Sequence, residues 1–251
     1  MLDVIDHGPV RELRLAHPPV NALCPELIAA LYEQVTTAAG EGGPEALVLS
    51  GRPGMFSAGL DVPVLIKLDR AAIAEVWRQF FGLMQALARS PIPVVAAISG
   101  HSPAGGAVLA LFCDYRIMAE GKFKIGLNEV QVGLPLPTPI YKALVYAVGR
   151  RQAERLGVAG LMMSPEEALQ VGLVDELCDP EQTAARALEW AEGMLRLPPQ
   201  ARTRTRELAR RELAATFDGF SDEVRMSFVE SWFGDETQST LRAVVARMGK
   251  S

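Results

Sequence analysis

The fold is decided by one stretch of sequence, Pro91-Ile-Pro-Val-Val-Ala-Ala-Ile98, which is followed by Gly100-His-Ser-Pro-Ala-Gly-Gly106. The first part is a continuous apolar run of strand length, which is typical of a strand covered on both faces. A similar run, Ala46-Leu-Val-Leu-Ser50, precedes it, and residues 71–88 between them have helical periodicity. Strand, helix and strand in this order predict a parallel sheet with right-handed crossovers, and therefore an α/β fold.

Further elements extend outward from this unit. An N-terminal hairpin is predicted from residues 3–6 and 10–15, and a helix over 25–39 from Pro25 at its start and glycines after its end. Helices dominate after Pro139. The remaining predictions are strands over 115–118, 122–125 and 173–177, loops over 51–61, 100–106 and 131–139, and helices over 105–112, 140–148, 151–159, 165–170, 180–196, 199–216, 221–232 and 235–248. The chain therefore divides into a core, 1–180, and a helical extension, 181–251.

Composition excludes several classes of protein. The 251 residues carry a formal net charge of −5, and such a chain offers no dense basic field for a nucleic acid. Three cysteines and three histidines without ligand spacing predict neither a disulfide framework nor a metal site, and they favour a cytoplasmic protein. The N-terminus lacks the apolar segment of a signal peptide, and no apolar run is long enough to span a membrane.

Gly100-His-Ser-Pro-Ala104 also fits the nucleophile elbow of a serine hydrolase, in which a strand leads through G-x-S-x-small into a helix. Two features argue against that function. The catalytic histidine of that fold follows the serine in the chain, whereas all three histidines lie at or before position 101. The residue after the nucleophile donates its backbone N–H to the oxyanion, and Pro103 has none.

The same turn suits a different use, because it opens a helix at Gly105. The first N–H groups of a helix have no partner inside the helix, and the helix dipole favours negative charge beside them. The loop Met55-Phe-Ser-Ala-Gly-Leu-Asp61 is also small and flexible, and its N–H groups can face the same cleft if the two strands are neighbours. The alternative for either loop alone is an ordinary glycine-rich connection.

Several motifs together resemble, in order and spacing, the crotonase (enoyl-CoA hydratase/isomerase) superfamily. The motifs are Phe56-Ser-Ala-Gly-Leu-Asp61, Pro91 to Ile98 with Gly100, Pro103-Ala-Gly-Gly106, Cys113-Asp-Tyr-Arg116, Gly126-Leu-Asn-Glu129 and Ser164-Pro-Glu-Glu-Ala-Leu-Gln-Val-Gly-Leu-Val-Asp175. The resemblance implies a spiral of ββα units and an acyl-CoA thioester as substrate, with CoA as part of that substrate and no other cofactor. It also implies an oxyanion hole formed by the N–H groups of Ala58 and Gly105. The C-terminal helices are expected to form a homotrimer, or a dimer of trimers.

The acidic residues bear on the reaction, which fold alone does not determine. Hydratases of the family place one glutamate three residues after the oxyanion glycine and a second one later. Val108 occupies the first of these positions and transfers no proton, whereas Glu129 matches the second. The sequence around Glu129 resembles the Δ3,Δ2-enoyl-CoA isomerases, in which one carboxylate suffices. Apolar neighbours are expected to raise the Glu129 pKa.

Other positions have two interpretations each. Asp61 either shapes the CoA pocket or caps the next helix. Asn128 either orients Glu129 or satisfies a turn, and His101 either lies at the mouth of the loop or is a turn residue without a proton-transfer role. The arginines at 202, 204, 206, 210 and 211 either contact a CoA phosphate or form a solvated helix face. By resemblance, Ala22, Ser57, Leu60 and Val108 join Asp61 and Asn128 as substrate-binding residues.

Three functions therefore stay open. The first is a Δ3,Δ2-enoyl-CoA isomerase that uses Glu129 to prepare unsaturated fatty acids for β-oxidation. The second is a hydratase or another acyl-CoA enzyme of the same fold, which would need another acid near Val108. The third is a non-catalytic acyl-CoA binding protein that keeps only the N–H donors.

Overall fold

A computed structural model describes residues 1–248. Its strands are β1 (Leu2–His7), β2 (Val10–Leu15), β3 (Ala46–Ser50), β4 (Gly54–Met55), β5 (Val94–Ile98), β6 (Gly100–Pro103), β7 (Tyr115–Ala119), β8 (Ile125–Gly126) and β9 (Glu176–Cys178). Its helices are α1 (Pro25–Thr37), α2 (Val62–Leu65), α3 (Arg70–Ala88), α4 (Gly105–Leu111), α5 (Thr138–Ala159), α6 (Pro165–Val171), α7 (Thr183–Leu195), α8 (Pro199–Ala209), α9 (Arg211–Ala214), α10 (Asp222–Phe233) and α11 (Asp235–Met248). Short 3-10 turns cover Glu129–Val132, Pro180–Gln182 and Ala215–Phe217.

Two sheets share the strands in a regular way. The main sheet has the order β1-β2-β3-β5-β7-β9, and all its pairs are parallel except the β1–β2 hairpin. The second sheet, β4-β6-β8, is parallel throughout. Each of the pairs β3–β4, β5–β6 and β7–β8 contributes its first strand to the main sheet and its second strand to the small sheet. This arrangement confirms the predicted α/β spiral of ββα units.

Several predicted boundaries are wrong, mostly where elements are very short. The loops expected over 51–61 and 100–106 contain β4 and β6, and the strand expected over 122–125 is limited to Ile125–Gly126. These strands pair over two residues each, so no hydrophobic period marks them. The strand expected over 173–177 begins only at Glu176.

The helical region also differs from the prediction in detail. The helices expected over 140–148 and 151–159 form the single segment α5, which is interrupted at Gly149 by a backbone with φ 75° and ψ 159°. Glycine adopts that conformation without steric strain. The helix expected over 199–216 divides into α8, α9 and a 3-10 turn.

Both faces of the main sheet are covered, and the C-terminal helices take part on each side. On β3, Leu47 and Leu49 join the cluster that contains α1 and α3, whereas Ala46 and Val48 pack with α7. Trp232 of α10 is 1% exposed and belongs to the first cluster. The predicted extension 181–251 therefore contributes buried residues to the core, among them Ala187, Leu213 and Leu241, and its role in trimerisation stays a prediction. Within residues 1–248 no helix is both long and apolar enough to cross a membrane.

Candidate active site

A cavity of about 200 Å³ lies where the two loops that follow β4 and β6 meet the 3-10 turn at Glu129. Its walls are mostly apolar. Apart from the indoles of Trp77 and Trp232, the polar side chains in the lining are those of Asn128 and Glu129. The lining residues are Ala58, Leu60, Val62, Trp77, Phe80, Pro103, Ala104, Gly105, Asn128, Glu129, Val132, Leu134, Pro135, Pro137, Ile140, Phe228, Trp232 and Val244. The cavity therefore combines the predicted loops with helices from the distant C-terminal region.

The turn into α4 provides the first group of donors. Ala104 precedes the helix with φ 44° and ψ −118°, a conformation that non-glycine residues rarely adopt. The Gly105 N–H, at the first position of the helix, has no acceptor within residues 1–248. Because the helix dipole places partial positive charge at this end, Gly105 can donate to an oxygen that carries negative charge. The structure thus places Gly105 where the sequence predicts it.

The loop after β4 approaches this turn closely, and Gly59 makes the approach possible. Gly59 has φ +85°, and a Cβ atom there would lie 3.0 Å from the Gly105 nitrogen. A larger residue would therefore separate the two loops. The next residue, Leu60, has a backbone N–H without an acceptor in the described part of the chain. A Cβ built on Gly105 would lie 3.4 Å from the Leu60 nitrogen, so the two unpaired N–H groups are neighbours.

The prediction of Ala58 as the second donor is wrong in this structure. The Ala58 N–H donates to the Val20 carbonyl oxygen at 2.9 Å and is not available to a ligand. The free donor of the loop is two residues later, at Leu60, which the sequence had suggested only as a substrate contact. The motif alone did not distinguish these N–H groups, because their directions depend on the Val20 pairing and on the left-handed Gly59.

Ser57 also has a structural role rather than the predicted contact with substrate. Its side chain is fully buried, and its hydroxyl donates to the Asn21 carbonyl oxygen at 2.7 Å while it accepts from the Gly59 N–H at 3.1 Å. Asn21 adds a bond from its amide to the Phe56 carbonyl oxygen. These bonds hold the loop that carries Leu60, and Ser57 is absent from the cavity lining.

Three other predicted substrate contacts, Asp61, Ala22 and Val108, lie outside the cavity lining. Asp61 caps α2 by accepting from the Val64 N–H at 3.2 Å, which agrees with the helix-capping interpretation. Ala22 is half-buried, and its carbonyl oxygen accepts from the Cys24 N–H. Val108 is 1% exposed within the core of α4, and it does not line the cavity. None of these three predicted substrate-binding residues lines the cavity.

Glu129 is the one carboxylate that lines the cavity within residues 1–248. Its Oε2 atom is inaccessible to solvent and has no hydrogen-bond partner. Burial disfavours the charged form and raises the Glu129 pKa from 4.5 to about 7. The direction of this shift agrees with the expectation from its apolar neighbours. A carboxylate with such a pKa is a stronger base than an exposed one and is still available near neutral pH.

Asn128 lines the cavity beside Glu129, and its side chain forms no hydrogen bond with Glu129 or with the turn. Its Oδ1 is buried without a partner, and its side chain makes no cap bond to the 3-10 turn. His101 accepts from the Lys124 N–H at 3.2 Å and contacts the Phe123 ring edge to face. This agrees with the interpretation of His101 as a residue without a proton-transfer role.

Two arginines of the C-terminal stretch are buried, which neither prediction for that stretch anticipated. Arg206 binds both carboxylate oxygens of Asp114, at 2.7 and 2.8 Å. Arg210 donates to the Phe112 carbonyl oxygen at 2.7 Å and lies 3.2 Å from Asp114. Since Asp114 follows α4, these bonds attach α8 to the far end of that helix. Arg204 and Arg211 are exposed.

Sequence reasoning missed the aromatic wall of the cavity. Trp77 and Phe80 come from α3, and Phe228 and Trp232 come from α10. Their helical spacing predicts only that they are buried, and a packed core and the wall of a ligand cavity give the same pattern. Within residues 1–248 no group of three or more His, Cys, Asp or Glu side chains is arranged to hold a metal ion.

Comparisons with known proteins identify the family of the chain. A family model described as enoyl-CoA hydratase/isomerase matches residues 7–238. Human "Enoyl-CoA delta isomerase 1, mitochondrial" is 34% identical over 241 residues, which cover 95% of this chain and 80% of that protein. A "Putative enoyl-CoA hydratase" of Thermus thermophilus is 32% identical over 220 residues, or 86% of this chain and 85% of that protein.

A solved structure extends the similarity to three dimensions. The crystal structure of human mitochondrial delta3-delta2-enoyl-CoA isomerase matches with a TM-score of 0.92 at 34% sequence identity. The match covers 99% of this chain and 98% of that chain. The family model, the sequence relatives and the fold agree, and the chain therefore belongs to the enoyl-CoA hydratase/isomerase family of enzymes, the crotonase superfamily.

Proposed function

We propose that this protein is a Δ3,Δ2-enoyl-CoA isomerase, which moves the double bond of a 3-enoyl-CoA to the 2-position. The observation that carries the proposal is the pairing of one unpartnered carboxylate, Glu129, with two unpaired N–H groups in one apolar cavity. Those N–H groups belong to Leu60 and Gly105. The identity to the human isomerase over most of the chain supports the same reaction.

The reaction needs one base and one site for negative charge. Ionised Glu129 removes a proton from C2 of the substrate, and the electrons form a dienolate whose charge resides on the thioester oxygen. The N–H groups of Leu60 and Gly105 donate to that oxygen and lower the barrier. Glu129 then returns the proton to C4, the double bond ends between C2 and C3, and the carboxylate is regenerated. No water is added and no further cofactor takes part.

A hydratase of the kind described for this family needs a second carboxylate to activate water. Glu129 has no such partner among the lining residues, and Val108 is buried in the core. The relative named as a putative hydratase makes water addition the reaction to measure in parallel. We therefore favour isomerisation and regard hydration as the competing outcome.

Other parts of the proposal concern binding and assembly. We propose that the CoA part of the substrate contacts the region of Ala22 and Asp61, which are both partly exposed. A homotrimer or a dimer of trimers stays a prediction, as does a role in the β-oxidation of unsaturated fatty acids. The cytoplasmic location also stays a prediction, and the human, mouse and rat relatives carry the word mitochondrial in their names.

The test combines two substrates and two variants. Purified protein is mixed with 3-hexenoyl-CoA, and the absorbance of the conjugated product is followed. Water addition to 2-hexenoyl-CoA is measured in parallel. We expect conjugation without hydration, and we expect Glu129→Gln to lower kcat by about 10²- to 10⁴-fold because the base is lost. Binding of hexanoyl-CoA should change by less than about tenfold, because Gln keeps the size of Glu and the loss of one net contact costs about 1 kcal/mol.

Glu120→Gln is the matched control, because Glu120 is exposed and lies outside the cavity. It should leave conjugation unchanged. Hydration faster than conjugation would show that the protein is a hydratase and not an isomerase. Conjugation that survives Glu129→Gln would remove Glu129 from the mechanism. Binding without either reaction would identify an acyl-CoA binding protein.

A further inference from the structure

The carboxylate of Glu129, the proposed base, receives no hydrogen bond from another residue within residues 1–248. Its Oε2 atom is buried without a partner, and the one hydrogen-bond donor that affects its pKa is its own backbone N–H. A base removes a proton efficiently only when it is held at a fixed distance from the reacting carbon. The position of this carboxylate therefore depends on how the Glu129 backbone is held.

The backbone of Glu129 belongs to a short turn that gives little support of its own. Glu129–Val132 forms a 3-10 turn, and Asn128 before it makes no side-chain cap bond. The Leu134 N–H donates to the Glu129 carbonyl oxygen at 3.1 Å. The hydrogen-bond geometry of 3-10 turns is poorer than that of α-helices. A turn of this length therefore needs contacts from outside to keep a fixed position.

The first outside contact comes from α11. The Thr237 hydroxyl donates to the Gly133 carbonyl oxygen at 2.6 Å, although the two residues are 104 positions apart in the chain. Thr237 is 4% exposed, and a Cβ atom on Gly133 would lie 3.2 Å from the Thr237 Cα atom. The helix therefore packs directly on the end of the turn. Because its donor is buried, water does not readily replace this bond.

The second outside contact lies at the end of α5. The Gln131 side-chain amide donates to the Gly160 carbonyl oxygen at 2.8 Å. A Cβ atom on Gly160 would lie 2.8 Å from the Val130 Cγ2 atom and 3.4 Å from the Asn128 Cα atom, so the helix end lies against the turn. Gln131 is exposed, and water can partly replace its bond. Two helices therefore hold the turn, and the buried contact is the one at Thr237.

We propose that Thr237 and Gln131 are positioning residues for the reaction, and that they hold the Glu129 carboxylate in place by fixing its turn from two sides. The proposal rests on the proposed function, since it concerns the base of that site. Neither Thr237 nor Gln131 lines the cavity. Loss of either bond should therefore displace the base and leave the acyl cavity intact.

Kinetics of two variants test the proposal. Thr237→Val keeps a branched side chain and removes the hydroxyl, and Gln131→Met keeps the length and removes the amide. Since a small displacement of a catalytic group costs up to about 100-fold in rate, Thr237→Val should lower kcat with 3-hexenoyl-CoA by about 10- to 100-fold. Gln131→Met should lower kcat by about 2- to 10-fold, because its bond is exposed. Binding of hexanoyl-CoA should change by less than about threefold in both variants, because neither residue lines the cavity.

Two further variants separate positioning from a purely structural role. Thr237→Ser keeps the hydroxyl, and its kcat should stay within about threefold of the unaltered protein. Thr240→Val is the matched control, because the Thr240 hydroxyl donates at 2.8 Å to the Glu236 carbonyl oxygen within α11. It should leave kcat unchanged. If Thr237→Val lowered the urea midpoint but kept the kcat of Thr240→Val, Thr237 would be a structural residue and the proposal would be overturned.

The titration of Glu129 provides a readout that does not require turnover. In ¹³C spectra of protein labelled at the glutamate carboxyl carbons, Glu129→Gln identifies the Glu129 signal by its absence. Burial raises the Glu129 pKa to about 7, no charged side chain contributes to the shift, and no other acidic or basic side chain within residues 1–248 lines the cavity. Thr237→Val changes no charge, so a lower pKa would report water around a displaced carboxyl. We expect the pKa to fall toward 4.5 in Thr237→Val and to stay unchanged in Thr240→Val.

The exposed bond of Gln131 covers the case in which Thr237→Val fails to fold. Loss of an exposed hydrogen bond should not prevent folding, so Gln131→Met is available for both measurements. We expect its kcat and its Glu129 pKa to fall in the same direction as for Thr237→Val, by smaller amounts. If Thr237→Val is unfolded, an unchanged kcat and an unchanged Glu129 pKa in Gln131→Met would overturn the proposal.

The same measurements separate this proposal from the proposed function. If the unaltered protein does not conjugate 3-hexenoyl-CoA while the Glu129 pKa falls in Thr237→Val, the isomerase assignment fails and the hold of Thr237 on the turn stands. If conjugation proceeds and Thr237→Val equals Thr240→Val in kcat and in the Glu129 pKa, the isomerase assignment stands and the positioning role fails.

Discussion

The two ends of α4 differ in how their polar groups are paired. At the C-terminal end, the Phe112 carbonyl oxygen accepts from Arg210, and both oxygens of Asp114 are bound by Arg206. At the N-terminal end, the Gly105 N–H and the neighbouring Glu129 carboxylate lack partners. Gly105 and Phe112 are both buried, so burial of the helix backbone does not explain the difference. Paired groups hold the fold together, whereas unpaired groups are available to a ligand.

Removing the negative charge of Asp114, at the paired end of α4, should have the largest effect on stability. Asp114→Asn leaves Arg206 and Arg210 buried without a carboxylate, and we expect the free energy of unfolding to fall by about 3–5 kcal/mol. Urea unfolding followed by circular dichroism measures this change. Asp218→Asn breaks the exposed Arg89–Asp218 pair and should change stability by less than about 1 kcal/mol. Equal effects of the two variants would contradict the comparison.

The buried carboxyl of Glu129, beside the unpaired end of α4, should make the free energy of unfolding fall as the pH rises. With a pKa of about 7 in the folded protein against 4.5, Glu129 keeps its proton between these values while the unfolded chain loses it. The group therefore stabilises the fold fully below pH 4.5, and this contribution is lost as the pH rises through 7. Glu129→Gln has no such loss. Its stability relative to the unaltered protein should increase by about 3 kcal/mol from pH 4.5 to pH 7, measured by urea unfolding. A constant difference would show that Glu129 titrates normally.

A substitution at Ser57 tests a paired group in the loop that carries the unpaired Leu60 N–H. Ser57→Ala leaves the Asn21 carbonyl oxygen and the Gly59 N–H without their partner, which should lower the free energy of unfolding by about 1–3 kcal/mol. Kinetics should also show a lower kcat, since the loop carries Leu60. Ser227→Ala removes an exposed helix hydroxyl and should change stability by less than about 0.5 kcal/mol. A stability change at Ser57 no larger than that would mean that the loop is held by other bonds.

The smallest effect is expected at the strained turn. Ala104→Gly relieves a φ of 44° and should raise the free energy of unfolding by about 1 kcal/mol, while kcat falls because the turn is less rigid. Thermal unfolding and the conjugation assay measure the two changes. Ala110→Gly, inside the regular part of α4, should lower stability by about 1 kcal/mol instead. The same sign for both variants would contradict strain at Ala104.

The sequence predicted those parts of the fold in which a pattern extends over several residues. The apolar runs that became β3 and β5 are buried on both faces, so every residue contributes to the signal. The strands β4 and β8 have two residues each and depend on their neighbours for pairing, so no local pattern marked them. Gly105 and Glu129 were located because distinct motifs surround them.

The details of the site depend on contacts between distant segments, which the sequence does not display. The choice between the N–H groups of Ala58 and Leu60 is made by the Val20 carbonyl oxygen. Arg206 was assigned to a solvated or phosphate-binding face because its partner, Asp114, is 92 residues away in the chain. The aromatic wall from α10 gave the same pattern as an ordinary buried face.

The placement of α10 and α11 has a consequence for folding during synthesis of the chain. Trp232 and Val244 close the cavity, and the Thr237 hydroxyl donates to the Gly133 carbonyl oxygen at 2.6 Å, just after the turn that holds Glu129. Synthesis proceeds from the N-terminus, and domains fold as the chain emerges from the ribosome. A nascent chain that has reached only residue 221 contains every group of the proposed mechanism but lacks Phe228, Trp232 and Val244 of the cavity wall. The complete cavity therefore forms later than the sheet, with the emergence of residues 222–248.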